Sequence, residues 1–233
     1  MNRFSFLYLV FFYFLAAIYS LFGDISSENQ IIGSLFLIML FGIPHGAIDN
    51  ILLLSKSDIS TSRFYTYYVF SIIAYIIIWF IFPIFSFVFF LLISSYHFGE
   101  SQLANNHILS SIKKPIYFIW GVFLMSSLLF YNENELIELF NSFEDTRRFN
   151  QLFRFNIIFI TFFTSNILLL LVLLLFTIQN RINISVLTTE LFQIVLIHIT
   201  FLLFPLIVSF TLYFIFLHSI KVLTQEFTYL NEL

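Results

Sequence analysis

An all-α bundle of about eight transmembrane helices is the fold class that the sequence predicts, from its composition and its hydropathy. Of the 233 residues, 60% are hydrophobic and only 10% are charged, and the mean hydropathy is +0.98. Soluble domains carry about 25% charged residues. These proportions predict an integral membrane protein that forms one domain, residues 1–233, in the lipid bilayer.

The apolar runs give the number of helices. Most approach the ~20 residues that cross a bilayer. They fall at about 4–22, 31–54, 64–82, 84–99, 114–131, 152–178, 190–204 and 206–224. Pro83 and Pro205 each interrupt a stretch too long for one span, so we expect a tight turn at each, with a kinked helix or a re-entrant pair as the alternatives. The polar segment 132–148 is expected to form a short surface helix or polar cap.

Basic residues predict how the bundle is oriented. If the amino terminus is cytoplasmic, seven basic residues fall on the inner side and three on the outer side, as the positive-inside rule favours. The inner set is Arg3, Lys56, Arg63, Lys113, Lys114, Arg181 and Lys221, and the outer set is Arg147, Arg148 and Arg154. We therefore expect both termini in the cytoplasm. The net charge of -3 offers no basic surplus for nucleic acid, and the absence of cysteine excludes thiolate metal ligands.

Two histidines lie in short polar motifs inside apolar runs: His45 in GIPHGAID (42–49) and His97 in YHFGE (96–100). An ionisable group in hydrocarbon is costly and marks a functional site by default. The eight-span topology puts His45, His97 and His218 at similar depth in the cytoplasmic half. His198, about eight residues into its run, is expected to reach the same layer, so that four imidazoles meet. The alternative for each histidine is a structural hydrogen bond between helices.

Clustered imidazoles without thiolates suit Fe(II), Zn(II), Ni(II) or Cu(II), and open positions on iron suit O2 chemistry. Asp49 and Glu100 follow His45 and His97 by four and three residues. They share a helix face with these histidines and would orient the rings or bind metal directly. Each is otherwise a polar group near the cytoplasmic interface. Three glycines in these motifs permit close helix approach: Gly42, Gly46 and Gly99.

The motifs PHGAID and YHFGES, with the stretch from Pro205 to His218, resemble the Brp/Blh family of bacterial and archaeal integral membrane β-carotene 15,15′-dioxygenases. The similarity covers about 31–224. It implies central cleavage of β-carotene by O2 to two molecules of all-trans-retinal at a histidine-bound iron in the cytoplasmic (inner) membrane. It also implies a functional link to a rhodopsin and no catalytic residue beyond the metal centre.

The resemblance carries His45, His97 and His218 over as Fe(II) ligands. Val222 stands where the family has a fourth histidine, and His198 is the candidate to replace it. The chain also has Leu217 and Gln102 where the family usually has Trp and often Asp. Loss of one imidazole motivates an alternative: a non-catalytic carotenoid- or retinoid-binding, or metal-transporting, protein. The transporter is disfavoured because the histidines lie on one side of the midplane and no repeat is seen.

Overall fold

The structure, a computed structural model, describes residues 3–23, 25–56, 60–103, 110–142, 144–150 and 156–230, without the side chains at 45, 49–56, 110–112, 145 and 229. Within these ranges the chain is helical and has no strand. Eight of the described helical segments are long and apolar enough to cross a membrane. The predicted fold class is therefore confirmed.

The helices follow one another with short connections. They are α1 (Arg3–Phe22), α2 (Ser27–Lys56), α3 (Thr61–Ile81), α4 (Pro83–Leu103), α5 (Ser110–Tyr131), α6 (Glu133–Ser142), α7 (Ile157–Ile178), α8 (Ile184–Leu203), α9 (Leu206–Tyr213) and α10 (Ile220–Leu230). A π-helical turn, Phe214–Ser219, joins α9 to α10. These three pieces form one span, Leu206–Thr228, which we call the last span.

Both proline breaks are confirmed. Phe82, before Pro83, has φ -132° and ψ 67°, and Phe204, before Pro205, is extended, with φ -113° and ψ 150°. The proline ring disfavours helical backbone at the preceding residue. The two long apolar stretches therefore divide into separate helices, α3 with α4 and α8 with α9.

Two of the boundaries that differ from the predicted runs lie next to buried polar residues. The apolar run ends at 99, but α4 continues to Leu103. The second concerns α8, where the run begins at 190 but the helix begins at Ile184. Hydropathy stops at polar side chains, whereas Gln102 and Glu190 lie inside the bundle because each finds a hydrogen-bond partner there.

Segment 132–148 forms the predicted cap. It contains α6 and a 3-10 turn, Glu144–Asn150. Leu136, Phe140 and Phe149 are buried against the ends of neighbouring spans. Glu135 Oε2 accepts a hydrogen bond of 2.8 Å from the backbone N–H of Leu206. That contact satisfies one of the N–H groups left open at the start of α9.

Helix α5 lies at the centre of the bundle, with Trp120, Phe123 and Leu124 almost fully buried, whereas α3 has no buried residue. The backbones of α4 and α5 touch at two glycines. A Cβ at Gly99 would overlap the carbonyl oxygen of Tyr117, and a Cβ at Gly121 would overlap a carbonyl oxygen of α4. This contact fixes the part of α4 that carries His97.

Candidate metal centre

The structure brings His97 and His218 together. Their ring centroids lie 4.9 Å apart, with an interplanar angle of 71°. Helix α4 and the last span run in the same direction, because His97 pairs with His218 and, one turn later, Gln102 pairs with Lys221. His218 is 1% exposed. Two spans that are distant in sequence therefore place two imidazoles side by side, with His218 buried in the bundle and His97 exposed on α4.

The contact with Ser101 indicates which nitrogen of His218 carries the proton. Its hydroxyl lies 2.9 Å from the carbonyl oxygen of Phe98 and 2.9 Å from His218 Nδ1. A carbonyl oxygen only accepts, so the single hydroxyl proton goes to Phe98. Nδ1 of His218 must then donate to Ser101 Oγ. This assigns the Nδ1–H tautomer and leaves the lone pair on Nε2, the arrangement expected of a metal-binding imidazole.

His218 lies in the π-helical turn of the last span. π-Turns add one residue to a helix and occur frequently at functional sites. Two aromatic rings enclose the imidazole: Phe98 at 4.8 Å, edge-on, and Phe214 at 5.5 Å, measured between ring centroids. The local chain thus places one ionisable group in an apolar shell, which keeps water away from it.

The PHG motif lies on α2 beside the same turn. A Cβ at Gly42 would come within 3.2 Å of Cζ of Phe214, so the glycine makes room for that ring. His45 follows three residues later on α2. The side chains of His45 and Asp49 lie outside the described part of the chain. No described atom lies within 4 Å of a Cβ built at Gly46.

His198 lies apart from the pair, which corrects its predicted depth. Because α8 begins at Ile184, His198 is fourteen residues, about 21 Å, along its helix. Its Nε2 lies 2.9 Å from Asn166 Oδ1. Its ring contacts among the described residues are Phe123 at 5.4 Å, Tyr131 at 5.6 Å and Phe162 at 5.8 Å.

Glu100 faces two tyrosines. The carboxylate is exposed at the surface of α4, forms a hydrogen bond with Tyr96 and lies near Tyr117. The side chain that holds the His218 ring is the next residue, Ser101. The sequence contained a signal for it, since Ser101 follows His97 by four residues and therefore shares its helix face.

A polar network next to Ser101 was not predicted from the sequence. Gln102, Glu190 and Gln193 are all buried, and Lys221 donates a hydrogen bond into the group. Lys221, which the charge distribution predicts on the inner side, lies near the carboxyl-terminal end of the last span. The available signal was the spacing in the last span, where Lys221 comes one turn after His218.

The donor set fits a metal that prefers nitrogen ligands. Two adjacent imidazoles suit Fe(II) or another borderline divalent ion, and one of them, His218, has the lone pair on its Nε2. Among the described residues no three histidine, aspartate or glutamate side chains meet as a ligand group. The third expected ligand, His45, has its side chain outside them.

The helix bundle and the histidine pair together define the class: a polytopic membrane protein with a candidate metal centre. A family model, Beta-carotene 15,15'-dioxygenase, matches residues 36–232. The chain therefore belongs to the β-carotene 15,15′-dioxygenase family, as its motifs predicted, and a β-carotene dioxygenase type of function follows from that membership. No curated protein and no solved structure matches the chain.

Proposed function

We propose that this protein cleaves the central 15,15′ double bond of β-carotene with O2, at Fe(II) held by His45, His97 and His218. Each carbon of the broken double bond takes one oxygen atom, so the products are two molecules of all-trans-retinal. No external reductant is needed for this balance. The observation that carries the proposal is the contact of His97 with His218 in a chain of this family.

The bound Fe(II) supplies the activation of O2. The chain's own residues prepare the site for it. Ser101 keeps the proton of His218 on Nδ1, so that Nε2 keeps the lone pair with which it would bind the metal. Phe98 and Phe214 exclude water around the ring. His45 completes the ligand set from α2, where Gly42 allows the helix to approach Phe214.

An apolar cavity supports the choice of a long hydrocarbon substrate. It measures about 670 Å³ and lies between α1, α2 and the last span. Its lining includes Phe41, next to Gly42, and Phe216, two residues before His218. Ligand sites in proteins are mostly apolar and have volumes of about 300–1,000 Å³. We propose that the polyene, which dissolves in the bilayer and not in water, enters laterally through this cavity.

The proposed location of the protein in the cell follows from its spans and its family. Helices suited to insertion and membership in a membrane enzyme family support a multi-pass membrane protein. We propose the inner membrane of a bacterium or archaeon, with both termini cytoplasmic and with retinal supplied to a rhodopsin.

Val222 favours the alternative, a family member that binds carotenoid or retinoid without cleaving it. It lies four residues after His218, on the next turn of the last span, where the family's fourth histidine is expected. Loss of one ligand weakens metal binding unless water or another group replaces it. The binder retains carotenoid without iron, whereas the enzyme contains stoichiometric iron and forms retinal.

The deciding experiment is expression in bacteria that accumulate β-carotene, with carotene and retinal quantified by chromatography. We expect carotene loss and retinal formation, both abolished by His45→Ala. Undiminished carotene, with the protein present in the membrane, would contradict the enzyme and favour the binder. Products of other chain length would retain a dioxygenase but contradict the central cleavage position.

A further inference from the structure

A polar network crosses the bundle beside the histidine pair. It joins α1, α4, α5, α8 and the last span, and its carboxylate, Glu190, is 4% exposed. Burial of a carboxylate in a transmembrane bundle is costly, and such a residue is retained where it has a function. Its members are Ser5, Gln102, Trp120, Glu190, Gln193 and Lys221.

Gln102 is the centre of this network, because its amide joins a cation to an anion. Its Nε2 lies 3.2 Å and 3.1 Å from the two carboxylate oxygens of Glu190. Its Oε1 accepts from Lys221 Nζ at 3.3 Å. Lys221 Nζ also donates to the backbone carbonyl of Gln102 at 2.8 Å. The donor end of the amide thus faces the negative charge and the acceptor end faces the positive charge.

Further contacts hold Glu190 in place. Trp120 Nε1 on α5 donates to Glu190 Oε2 at 3.2 Å. Gln102 Nε2 also contacts Gln193 Oε1, and Gln193 Nε2 donates to Ser5 Oγ at 2.8 Å. The carboxylate is therefore fixed by two helices and in turn fixes the end of α4.

The network is continuous with the His218 site. Gln102 follows Ser101 directly, and Lys221 follows His218 by three residues. The same two elements therefore meet twice: Ser101 with His218, and Gln102 with Lys221. The second contact determines how far α4 lies along the last span, and a 2.9 Å hydrogen bond tolerates little displacement.

We propose that Glu190 is a positioning residue: through Gln102 and Lys221 it fixes α4 against the last span and thereby holds Ser101 on Nδ1 of His218. This inference rests on the proposed function for its purpose, because a fixed Nδ1–H tautomer prepares Nε2 to bind metal. The contacts themselves require no metal, so the inference can be tested on the metal-free protein.

The test is ¹⁵N NMR of the full chain in detergent micelles, labelled at histidine and free of metal, with His218 assigned by its loss in His218→Gln. We expect the Nδ1–H tautomer in the unmodified protein. Glu190→Gln keeps the size of the side chain and removes its charge, and we expect a mixture of tautomers at His218. Co(II) titration, read from its visible absorption, should show a Kd raised about tenfold.

Two further variants separate positioning from stability. Tyr8→Phe removes another buried hydrogen bond between α1 and α8, that of Tyr8 to Thr200, which involves none of the residues that link Glu190 to His218. It should leave the tautomer and the Kd unchanged. The double variant Glu190→Gln with Gln102→Glu exchanges the two side chains, so that the carboxylate lies on the side of Lys221. It should restore the Nδ1–H tautomer of His218. It also tests the inference if Glu190→Gln alone fails to fold.

Several results would overturn the inference: an unchanged His218 spectrum in Glu190→Gln, an equal change in Tyr8→Phe, or an exchange variant that folds without restoring the tautomer. The proposed function fails separately. A protein that binds neither Co(II) nor iron and forms no retinal contradicts the metal centre, while the tautomer of His218 in the metal-free variants still decides the role of Glu190.

Discussion

His218 and His198 both lie inside the bundle, and each has one ring nitrogen held by a neutral side chain. Ser101 lies 2.9 Å from Nδ1 of His218, and Asn166 Oδ1 lies 2.9 Å from Nε2 of His198. Asn166 Nδ2 donates to a backbone carbonyl, which fixes the orientation of its amide. Its Oδ1 only accepts, so Nε2 of His198 carries the proton. The two histidines therefore have opposite tautomers.

The surroundings of the two rings differ as well. His218 faces a second imidazole, His97, whereas His198 faces three aromatic rings, and its Nδ1 has no hydrogen-bond partner among the described residues. One hydrogen bond to a neutral side chain is thus common to both sites, although His218 is buried and His198 half-buried. What distinguishes His218 as the candidate ligand is the second imidazole beside its ring.

Replacing the histidines should give the largest difference between the two regions. We expect His97→Ala and His218→Ala each to lower retinal formation by at least about 100-fold, because each removes a ligand. His198→Ala should keep most of the activity, since it empties a space among aromatic rings. Chromatography of retinal from β-carotene-accumulating cells measures all three, at matched amounts of membrane protein. An equal loss of retinal formation in His198→Ala would indicate that His198 is a metal ligand.

A change at the contact between α4 and α5 should displace the His97–His218 pair and leave the surroundings of His198 in place. In Gly99→Ala the added methyl group would overlap a backbone oxygen of α5, so we expect the free energy of unfolding to fall by about 3 kcal/mol or more. Gly33→Ala on α2 is the control, because a Cβ there meets no described atom within 4 Å. Reversible unfolding in mixed micelles measures both, and equal stabilities would contradict the close approach.

The same comparison shows what could be predicted from the sequence. The spans and both proline breaks follow from hydropathy and backbone sterics, since lipid requires long apolar helices. The meeting of His97 with His218 follows from span direction and depth. The start of α8 was predicted at 190 instead of Ile184 because hydropathy ends an apolar run at polar residues. The fourteen-residue position of His198 depended on that boundary. The network around Glu190 was not predicted, because its partners Gln102 and Lys221 come from distant segments.

Adding an imidazole beside His218 should strengthen metal binding there and leave His198 unaffected. Val222→His places it one turn further along the last span, where the side chain is half-buried. We expect the Co(II) Kd to fall by more than about tenfold, because a further ligand joins the site. The Nε2–H tautomer of His198 should stay unchanged. An unchanged Kd would contradict the interpretation of Val222 as a lost ligand.

The smallest expected effect comes from the two side chains that hold the rings, Ser101 and Asn166. Ser101→Ala and Asn166→Ala each remove one hydrogen bond between helices, together with one to a carbonyl of the residue's own helix. Loss of the bond between helices should lower the free energy of unfolding by only about 0.6 kcal/mol. Their effects on metal binding should differ: Ser101→Ala releases the tautomer of His218 and should raise the Co(II) Kd about tenfold, whereas Asn166→Ala should leave it unchanged. Similar losses of stability with different affinities would locate the metal at His218. Equal affinities in the two variants would mean that both hydrogen bonds only support packing.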